Sequence, residues 1–377
     1  MAIVFWAFLA LTLYTYVGYG LLIWLLSRVR PKPIKKAEIT PSVSIVIAAY
    51  NEEKCIAEKL DNVLSLNYPE GRLEIIVGSD ASDDATDSIV RSYASRGVSL
   101  VRLEGRQGKT AVQNRCAEVS RGEILVFTDA TTRLRRDSIR MLMRNFADES
   151  VGCVGGKLIY RNKGSSQIGA GGVGYWSYEV LMKRWESAAN SSIGVSGCFY
   201  AVRSRLYRAI ETNLISDFVI ALDTFKNGYR VAYEEGAVCE EDVLDDGADE
   251  LAMRVRVALR TYSALRARQA LLNPFKFGLF SVQLISHKMF RYSVGLFLIT
   301  LLISNLFLLS TPFYQFFLFL QAGFYGSAFV GHLCYRGPNK QGILAIPHYF
   351  VLVNMAALIA LAKFCRGETM IVWAPQR

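Results

Sequence analysis

Acidic and polar side chains follow three apolar segments of the chain, at the point where each segment ends. The segments cover residues 43–48, 73–78 and 123–129. Each is a nearly continuous apolar run, which is typical of a parallel strand buried on both faces. Because ligands bind beyond the carboxyl ends of such strands, we expect one rim of the sheet to collect Tyr50, Glu52, Asp80 and Asp129. A row of acids there suits a metal-bound, phosphate-bearing ligand better than a bare anion.

Asp129 and Thr131 supply two oxygen ligands at the end of the third segment. Such a pair can hold Mg²⁺ or Mn²⁺ while the ion keeps water and substrate phosphate oxygens as its other ligands. The alternative is a helix N-cap, since hydroxyl residues precede a helix expected near 137–146. The acids Glu52 and Asp80 on the same rim favour the metal site.

A glycine turn at residues 105–108 precedes Lys109. A P-loop would need a further glycine at position 103, which is Leu103, so a P-loop kinase or ATPase is excluded. The turn still places Lys109 and backbone amides at a helix N-terminus, where they can bind phosphate. The alternative is a simple turn with a solvated lysine.

The elements that must position these residues alternate along the chain. Strands are predicted at 43–48, 73–78, 98–103 and up to Asp129, and helices at 53–65, after Asp80 to about 95, and 107–120. This order folds into one parallel sheet by right-handed crossovers. Further along, residues 165–174 predict a mobile loop, 175–186 a helix and 240–242 a polar turn.

Four apolar segments are long enough to cross a bilayer. They cover residues 3–26, 290–311, 312–334 and 343–364. The first lacks a basic n-region and a cleavage site, so we interpret it as a retained anchor. The basic cluster at 28–36 then places residues 28–275 in the cytoplasm. Three further spans would leave the C-terminal tail outside the cell, although it carries the basic residues Lys363, Arg366 and Arg377. Either the rule that basic segments stay in the cytoplasm is overridden there, or one of the late segments does not cross the membrane.

Charge and cysteine content restrict the class of partner. The formal net charge is +10. Much of the excess of Lys and Arg over Asp and Glu lies beside the predicted spans, so we expect these basic residues to face anionic lipid and expect no nucleic acid partner. Seven scattered cysteines without a CxxC pair indicate reduced thiols and argue against a zinc site. The three histidines lie in or beside predicted spans and form no metal triad.

Six short motifs occur in a characteristic order. They are residues 47–52, Ser79–Asp80, Arg106–Lys109, Phe127–Ala130, Ser216–Phe218 and Gly228–Glu234. Together they resemble the membrane-bound family 2 glycosyltransferases, a group that includes cellulose, chitin and hyaluronan synthases. The resemblance implies an α/β cytosolic domain of the Rossmann-like GT-A fold, a UDP-sugar donor, a divalent cation (Mg²⁺ or Mn²⁺) and inversion at the anomeric carbon.

The resemblance also implies roles by position. The donor side comprises Ala48, Tyr50, Glu52, Asp80, Lys109 and Asp129, with Asp80 accepting from the uracil N3–H and Asp129 on ribose or metal. Asp217 matches the general base, which takes the proton of the attacking acceptor hydroxyl. The alternative is that Asp217 caps the helix expected at 219–226. The acidic run at 240–242 supplies the next candidates for the base.

The family motif Gln-Arg-x-Arg-Trp is incomplete here. The matching residues are Met253, Arg254, Val255, Arg256 and Val257. The two arginines can stabilise the departing diphosphate; lipid phosphates are the alternative partner. The absent tryptophan lies by the acceptor sugar in polymerising members, which argues against processive synthesis. Thr131 replaces an Asp found in many members, so it is the weaker of the two predicted metal ligands.

Three residues are assigned to the acceptor side. Gly197 and Cys198 belong to a segment that resembles the acceptor-side loop, with a tight turn between core strands as the alternative. Trp176 can stack on an acceptor sugar, with aromatic core as the alternative.

The expected protein is a multi-pass enzyme of the cytoplasmic membrane with a cytosolic catalytic domain. Its predicted parts are an anchor (1–27), a linker (28–40), a GT-A domain (41–270), an interfacial amphipathic helix (271–289), three spans (290–365) and a tail (366–377). The expected acceptor is a growing polysaccharide, and because four spans are few for a pore, a homo-oligomer or an export partner is expected. A lipid acceptor is the alternative, and a non-catalytic scaffold that binds nucleotide-sugar is the rival hypothesis.

Overall fold

The computed structural model describes residues 1–161, 170–242, 247–334 and 343–370; within these ranges it leaves the side chains of 170–176 and 247–249 aside. The predicted basic loop at 336–340 and the tail residue Arg377 lie outside the described residues. The architecture is a mixed α/β sheet domain with four long apolar helices, which confirms the predicted fold class.

The first half of the domain alternates strands and helices. After helix α1 (Ala2–Val29) come β1 (Val43–Ala49), α2 (Ile56–Leu64), β2 (Leu73–Ser79), α3 (Thr86–Ser92), β3 (Val98–Arg102), α4 (Lys109–Val119) and β4 (Ile124–Asp129). The strands lie side by side in the order β3, β2, β1, β4 and are all parallel. These four strands and their crossovers are therefore confirmed, with bounds within a few residues of those predicted.

Strand β1 shows why these segments are nearly continuous in apolar residues. All seven of its residues are buried. Ile45 and Ile47 belong to the core on one face of the sheet, and Val46 and Ala48 to the core on the other. Because helices cover both faces, each apolar side chain is removed from water whichever way it points, which is worth about 1.5–3 kcal/mol for a fully buried Val or Ile.

The second half of the domain was not predicted as strands. It contains β5 (Arg133–Leu134), α5 (Ser138–Met143), β6 (Val151–Arg161), α6 (Ala170–Ala189), β7 (Phe199–Arg203), α7 (Ser216–Lys226), β8 (Arg230–Asp242) and α8 (Gly247–Ala267). Strand β7 pairs antiparallel with both β4 and β6, and β8 pairs parallel with β6. The eight-stranded sheet ends with β5 beside β8.

Two local predictions in this half are wrong. The acidic run at 240–242 is the end of strand β8 rather than a polar turn, because Glu240 pairs with Arg135 on the neighbouring edge of the sheet and Asp242 with Arg161. The predicted loop at 165–174 is helical from Ala170 onward, where α6 begins; residues 165–169 lie outside the described residues.

Within the described residues, four helices are long and apolar enough to cross a membrane: α1, α9 (Leu279–Leu306), α10 (Pro312–Cys334) and α11 (Ala345–Cys365). The first predicted C-terminal span and the segment predicted to lie along the interface form one continuous helix, α9, after a short helical turn at Pro274–Phe277. Its first turns pack against the domain through Phe280 and Leu284. Helix α8 packs against α11, so the sheet domain is in contact with the apolar helices.

Candidate active site

The carboxyl ends of β1, β2 and β4 lie at one edge of the sheet. In the strand register Ala48 stands between Gly78 of β2 and Asp129 of β4. The structure therefore places Ala48, Asp80 and Asp129, which lie at or just beyond these strand ends, along one rim.

Asp80 is fully buried beneath the turn that precedes α4. Its carboxylate accepts from the backbone N–H groups of Gln107 (2.7 Å) and Gly108 (3.0 and 3.1 Å). Gly108 has a φ of +92°, a conformation that favours glycine. Asp80 thus fixes the turn that presents Lys109, and its carboxylate oxygens retain acceptor capacity beyond these bonds.

Tyr50 and Glu52 lie beyond the end of β1. The Arg106 guanidinium carbon lies 3.7 Å from the centroid of the Tyr50 ring, which is cation–π stacking distance. The Glu52 carboxylate accepts from the Cys55 thiol at 3.1 Å, and its backbone N–H donates to Thr86 Oγ1 at 2.7 Å. Both residues therefore stand at the same end of the sheet as Asp80, each with partners from the surrounding loops.

Lys109 contacts both a residue predicted on the donor side, Asp129, and one predicted on the acceptor side, Gly197. Its ammonium forms an ion pair with Asp129 and donates to the carbonyl oxygen of Gly197 at 3.2 Å. Burial opposes its charged form, but the negative charges of Asp129 and Asp217 outweigh burial and raise the pKa of Lys109. The ammonium is therefore positive at neutral pH.

Asp217 lies in the first turn of α7, close enough to Lys109 for the two charges to affect each other's pKa. A Cβ atom on Gly197 would be 2.9 Å from Asp217 Oδ2, so only glycine allows the backbone to come this close. Burial raises the pKa of Asp217, and the nearby cations Lys109, Lys183 and Arg260 partly offset that effect. A carboxylate with a raised pKa is a stronger base than an exposed one.

Glu241, which the sequence placed in a turn, lies beside Asp129. Thr131 Oγ1 donates to Glu241 Oε1 at 3.1 Å. Burial, together with the negative charge of Asp129, raises the pKa of Glu241 to about 7. Two mutually repelling carboxylates with a hydroxyl between them are a donor set that suits a hard divalent cation. In the described part of the chain, no group of three or more His, Cys, Asp or Glu side chains is arranged to hold a metal ion by itself, so diphosphate oxygens and water would have to complete the coordination.

Lys59 is a buried cation that the sequence analysis missed. It is 2% exposed, and its ammonium donates to Thr128 Oγ1 (2.8 Å), Thr132 O (2.7 Å) and Thr132 Oγ1 (3.1 Å). These bonds close the turn that carries Asp129 and Thr131. Burial lowers the pKa of Lys59 to about 8, although nearby Cys239 and Asp129 favour the charged form. Its position among the buried residues Ile56, Leu60 and Val63 on the core face of α2 was the available signal.

The two predicted arginines have different surroundings. Arg254 pairs with Glu250 and donates to Tyr349 of α11 at 2.6 Å. Arg256 is half-buried, and burial lowers its pKa.

Arg260, one turn further on, donates to Thr110 Oγ1 at 2.9 Å, and burial lowers its pKa to about 10 although Asp217 favours the charged form. Arg260 is thus a site residue that the motif comparison missed.

The two predicted acceptor-side residues Gly197 and Cys198 lie in different surroundings. Gly197 lies at the centre of the site, as described above. Cys198 points into the core instead, where its sulfur lies 3.7 Å from that of Cys239, because the chain enters strand β7 at the next residue. The side chain of Trp176 lies outside the described residues.

Comparison with known proteins agrees with the resemblance to family 2 glycosyltransferases. Residues 44–210 match the profile described as "Glycosyl transferase family 2". The chain is 26% identical over 213 residues to a poly-beta-1,6-N-acetyl-D-glucosamine synthase of Staphylococcus aureus, covering 55% of this chain and 52% of that protein. It is 27% identical over 224 residues to the synthase of the same name from Staphylococcus epidermidis, covering 56% and 54%. The chain therefore spans about half the length of these relatives.

One solved structure matches almost the whole chain. It is a mannosyltransferase from Pyrobaculum calidifontis described in complex with GDP-Man and Mn²⁺, with a TM-score of 0.73, 23% identity and coverage of 97% of this chain and 99% of that one. At this identity the match establishes a shared fold and no more.

Proposed function

We propose that this chain, whose residues 44–210 match the family 2 glycosyltransferase profile, transfers a sugar from a UDP-sugar, with inversion, to an acceptor hydroxyl at the membrane surface. The observation that carries the proposal is the close approach of Asp217 to Gly197, where a Cβ atom would lie 2.9 Å from Asp217 Oδ2, beside the ion pair of Lys109 and Asp129. A base, a donor-side cation and a metal-binding carboxylate thereby face one space.

Inversion requires the acceptor oxygen to attack the anomeric carbon from the side opposite the leaving diphosphate. The bond from that oxygen to the anomeric carbon forms as the bond to the diphosphate oxygen breaks, and the hydroxyl proton passes to Asp217. Burial raises the pKa of Asp217, which increases its affinity for that proton. The step therefore balances, because the acceptor hydroxyl releases one proton and one carboxylate takes it up.

The diphosphate gains negative charge as it leaves, and fixed cations stabilise that charge best. Lys109, Arg256 and Arg260 are the candidates: Lys109 faces Asp217, and the two arginines stand four residues apart on one face of α8. Asp129, Thr131 and Glu241 would hold Mg²⁺ or Mn²⁺, which supplies further positive charge to the diphosphate when bound.

The donor nucleoside is proposed to lie over the rim formed by Ala48, Tyr50, Glu52 and Asp80. Uridine is proposed from the motifs, whereas the similar mannosyltransferase is described with GDP-Man. The test therefore includes both nucleotides. We propose that the domain is cytosolic, because a cluster of basic residues at 28–36 lies at the C-terminal end of α1 and just beyond it.

Two acceptor classes compete. A growing polysaccharide agrees with the names of the synthases above and would need a second copy of the chain or an export partner. A lipid acceptor is favoured by the position of Asp217, because Lys288 of α9 lies 5.8 Å from the ring centroid of Phe218, its chain neighbour. The base is thereby close to the helix that leads into the membrane.

The test is release of UDP or GDP by the full chain in lipid nanodiscs, with a panel of UDP- and GDP-sugars, Mg²⁺ or Mn²⁺, and products sized by mass spectrometry. We expect release with one UDP-sugar and a glycosylated product. Donor binding without release, with lipid and saccharide acceptors both supplied, would instead indicate the non-catalytic scaffold.

A further inference from the structure

Helix α11 is apolar enough to cross the membrane, but its neighbours indicate a different orientation. It has 21 residues, so a crossing would separate its two ends by about 30 Å in depth and place its middle near the bilayer midplane. The depth of each part of α11 follows from the residues that it contacts on α1, α9 and α10, because these helices extend away from the sheet domain.

Helix α9 defines the level at which the apolar helices leave the sheet domain. Its first turns are buried in the domain through Leu284, and its last charged residue is Arg291, followed by an uncharged stretch to Leu306. Charged side chains mark the edge of the hydrocarbon, so Arg291 lies at the boundary on the domain side. Helix α1 passes this boundary near Tyr14, whose hydroxyl lies 2.9 Å from that of Ser286.

The middle of α11 lies at this boundary. The Asn354 amide donates to the Tyr16 hydroxyl at 3.4 Å, and Tyr16 is two residues from Tyr14 on α1. A Cβ atom on Gly295 would be 2.7 Å from Leu358 Cγ, and Gly295 lies one turn inside the boundary, about 6 Å along α9. In a crossing helix these residues of α11 would lie about 15 Å from the boundary, so both contacts argue against a crossing.

The C-terminal end of α11 lies at the same level. The centroid of the Phe364 ring is 5.7 Å from that of Tyr262 of α8. The Tyr262 hydroxyl donates to the backbone carbonyl of Tyr292 at 3.1 Å, and Tyr292 directly follows Arg291 on α9. A single tyrosine side chain thus connects the end of α11 with the boundary.

The N-terminal end of α11 lies beside the end of α10 that returns to the domain. A Cβ atom on Gly331 would be 2.7 Å from the carbonyl oxygen of Leu344, the residue before α11. Helix α10 runs antiparallel to α9 after a short connection, and the Gln321 side chain donates to the carbonyl of Leu298 at 3.5 Å. Gly331 is one further stretch of α10 along, about 15 Å nearer the domain than Gln321, which returns it to the boundary.

Helix α8 packs along the length of α11 and is strongly charged. Arg254 donates to Tyr349 at 2.6 Å near the start of α11, and Tyr262 lies beside Phe364 near its end. Helix α8 carries two acids and four arginines. If α11 crossed the membrane, α8 would enter the hydrocarbon with these charges, which is unfavourable.

We propose that α11 lies in the plane of the membrane, in the leaflet next to the sheet domain, and does not cross it. Its partner is the lipid of that leaflet, which contacts Ile346 and Met355, the side chains of α11 that are 53% and 49% exposed. Ala356 and Ala360 pack against α8 instead. Among the described helices, α1, α9 and α10 are then the ones that cross.

This orientation removes a conflict in the sequence. Lys363 and Arg366 remain on the same side of the membrane as the basic cluster at 28–36, as the positive-inside rule requires. It also holds α8, with Arg256 and Arg260, at the membrane surface. The inference concerns the membrane and does not depend on the chemistry proposed above.

The first test measures the depth of α11 in nanodiscs. The cysteines that are not buried are first replaced by serine (Cys55, Cys334 and Cys365). Single spin labels are then placed at Ile346, Met355 and Ala362, three exposed positions along the helix, and power saturation with O₂ and a nickel chelate reports their depths. We expect the three depths to agree within about 5 Å, whereas in a crossing helix the label at Met355 would lie about 10 Å deeper than the other two.

The control is a label at Phe319, a 72% exposed residue near the middle of α10. It should lie about 10 Å deeper than all three labels on α11. A label at Met355 that is as deep as the one at Phe319, with shallow labels at Ile346 and Ala362, would overturn the proposal.

The second test determines on which side of the membrane α11 ends. A membrane-impermeant maleimide is added to sealed vesicles of either orientation, and the labelled residues are identified by mass spectrometry. Ser95→Cys marks the side of the sheet domain and Ser310→Cys the far side, since both positions are exposed. We expect the exposed thiols of Cys334 and Cys365 to react from the side of Ser95→Cys. Glu368→Cys, at an exposed position beyond α11, reports the same side if lipid shields Cys365.

Reaction of Cys365 or Glu368→Cys only from the side of Ser310→Cys would mean that α11 crosses, and would overturn the proposal. Neither test measures turnover, so a failure of this inference leaves the proposed function unchanged.

Discussion

Replacement of Lys59 is expected to change the stability of the protein little and the geometry of its active site strongly. The ammonium has a pKa of about 8 in the folded protein against an ordinary value of 10.5, and this difference corresponds to about 3 kcal/mol against the charged form. Replacing Lys59 with Met removes that cost but leaves the carbonyl of Thr132 without its donor, which costs about 1–3 kcal/mol. The hydroxyls of Thr128 and Thr132 can still pair with each other, at 2.9 Å. We therefore expect the free energy of unfolding at pH 7 to change by less than about 2 kcal/mol.

The same pKa gives a pH dependence with a definite sign. Below pH 8 the folded protein holds the charged lysine at a cost. As the pH rises toward 10.5, the folded state releases the proton while the unfolded state keeps it, so stability increases with pH. Between pH 7 and pH 10 the wild type should gain about 2.5 kcal/mol relative to Lys59→Met. For a domain of this size that is about 5–10 °C in the difference of Tm.

The assay is thermal unfolding of the full chain in nanodiscs at a series of pH values, for wild type, Lys59→Met and Lys54→Met. Lys54 is exposed and lies just before the same helix, so its variant should follow the wild type. Sugar transfer at pH 7 should nevertheless fall about tenfold or more in Lys59→Met, because misplacement of catalytic groups by about 1 Å is costly. A Tm difference that does not change with pH, or full transfer activity, would refute this account of Lys59.

The remaining predictions concern the reacting groups. Glu241→Gln should raise the Mn²⁺ concentration for half-maximal activity about tenfold, measured by metal titration; an unchanged midpoint contradicts its role as a ligand. Arg256→Ala should lower kcat about 10²-fold or more, whereas Arg254→Ala, whose side chain faces Tyr349, should change it less than about threefold; equal effects would refute the assignment. In a pH–rate profile, the acidic limb set by Asp217 should move to higher pH in Lys109→Met, because Lys109 favours the carboxylate; a shift to lower pH would refute this.

The sequence was sufficient for the parallel half of the sheet because burial on both faces leaves a simple signature. Ile45 and Val46 point to opposite cores yet are equally apolar, so a continuous run could be interpreted as a strand without knowing its neighbours. The antiparallel strand β7 gave no such signal. Its five residues take their place between β4 and β6 through long-range pairing, which local composition does not encode.

Helix geometry explains the division between the two arginines. Arg254 and Arg256 are two residues apart, which is about 200° around a helix, so they cannot both face one pocket. Arg256 and Arg260 are four apart and share a face. The sequence alone gives these spacings, whereas the family motif pairs arginines that are two residues apart. Lys59 could likewise have been found as a charged residue at a core-facing position of an amphipathic helix.

Glu241 could not have been placed in advance. Its approach to Asp129 depends on β8 lying beside β6, with ten residues of β6 paired in register and two irregularities along the way. A run of three acids looks the same in a solvated turn and at a strand end. The distinction came from Arg161 on the neighbouring strand β6 and Arg135 just after β5, which only the folded sheet brings beside these acids.

The central claim is that Asp217 is the base for sugar transfer, and Asp217→Asn tests it most directly. The amide keeps the size of the side chain and its position against Gly197 but cannot take the acceptor proton. With the active donor in nanodiscs, we predict that kcat falls about 10²–10⁴-fold while the Kd for UDP changes less than about threefold. Turnover within about threefold of wild type would contradict the claim and direct the search for the base to Glu241.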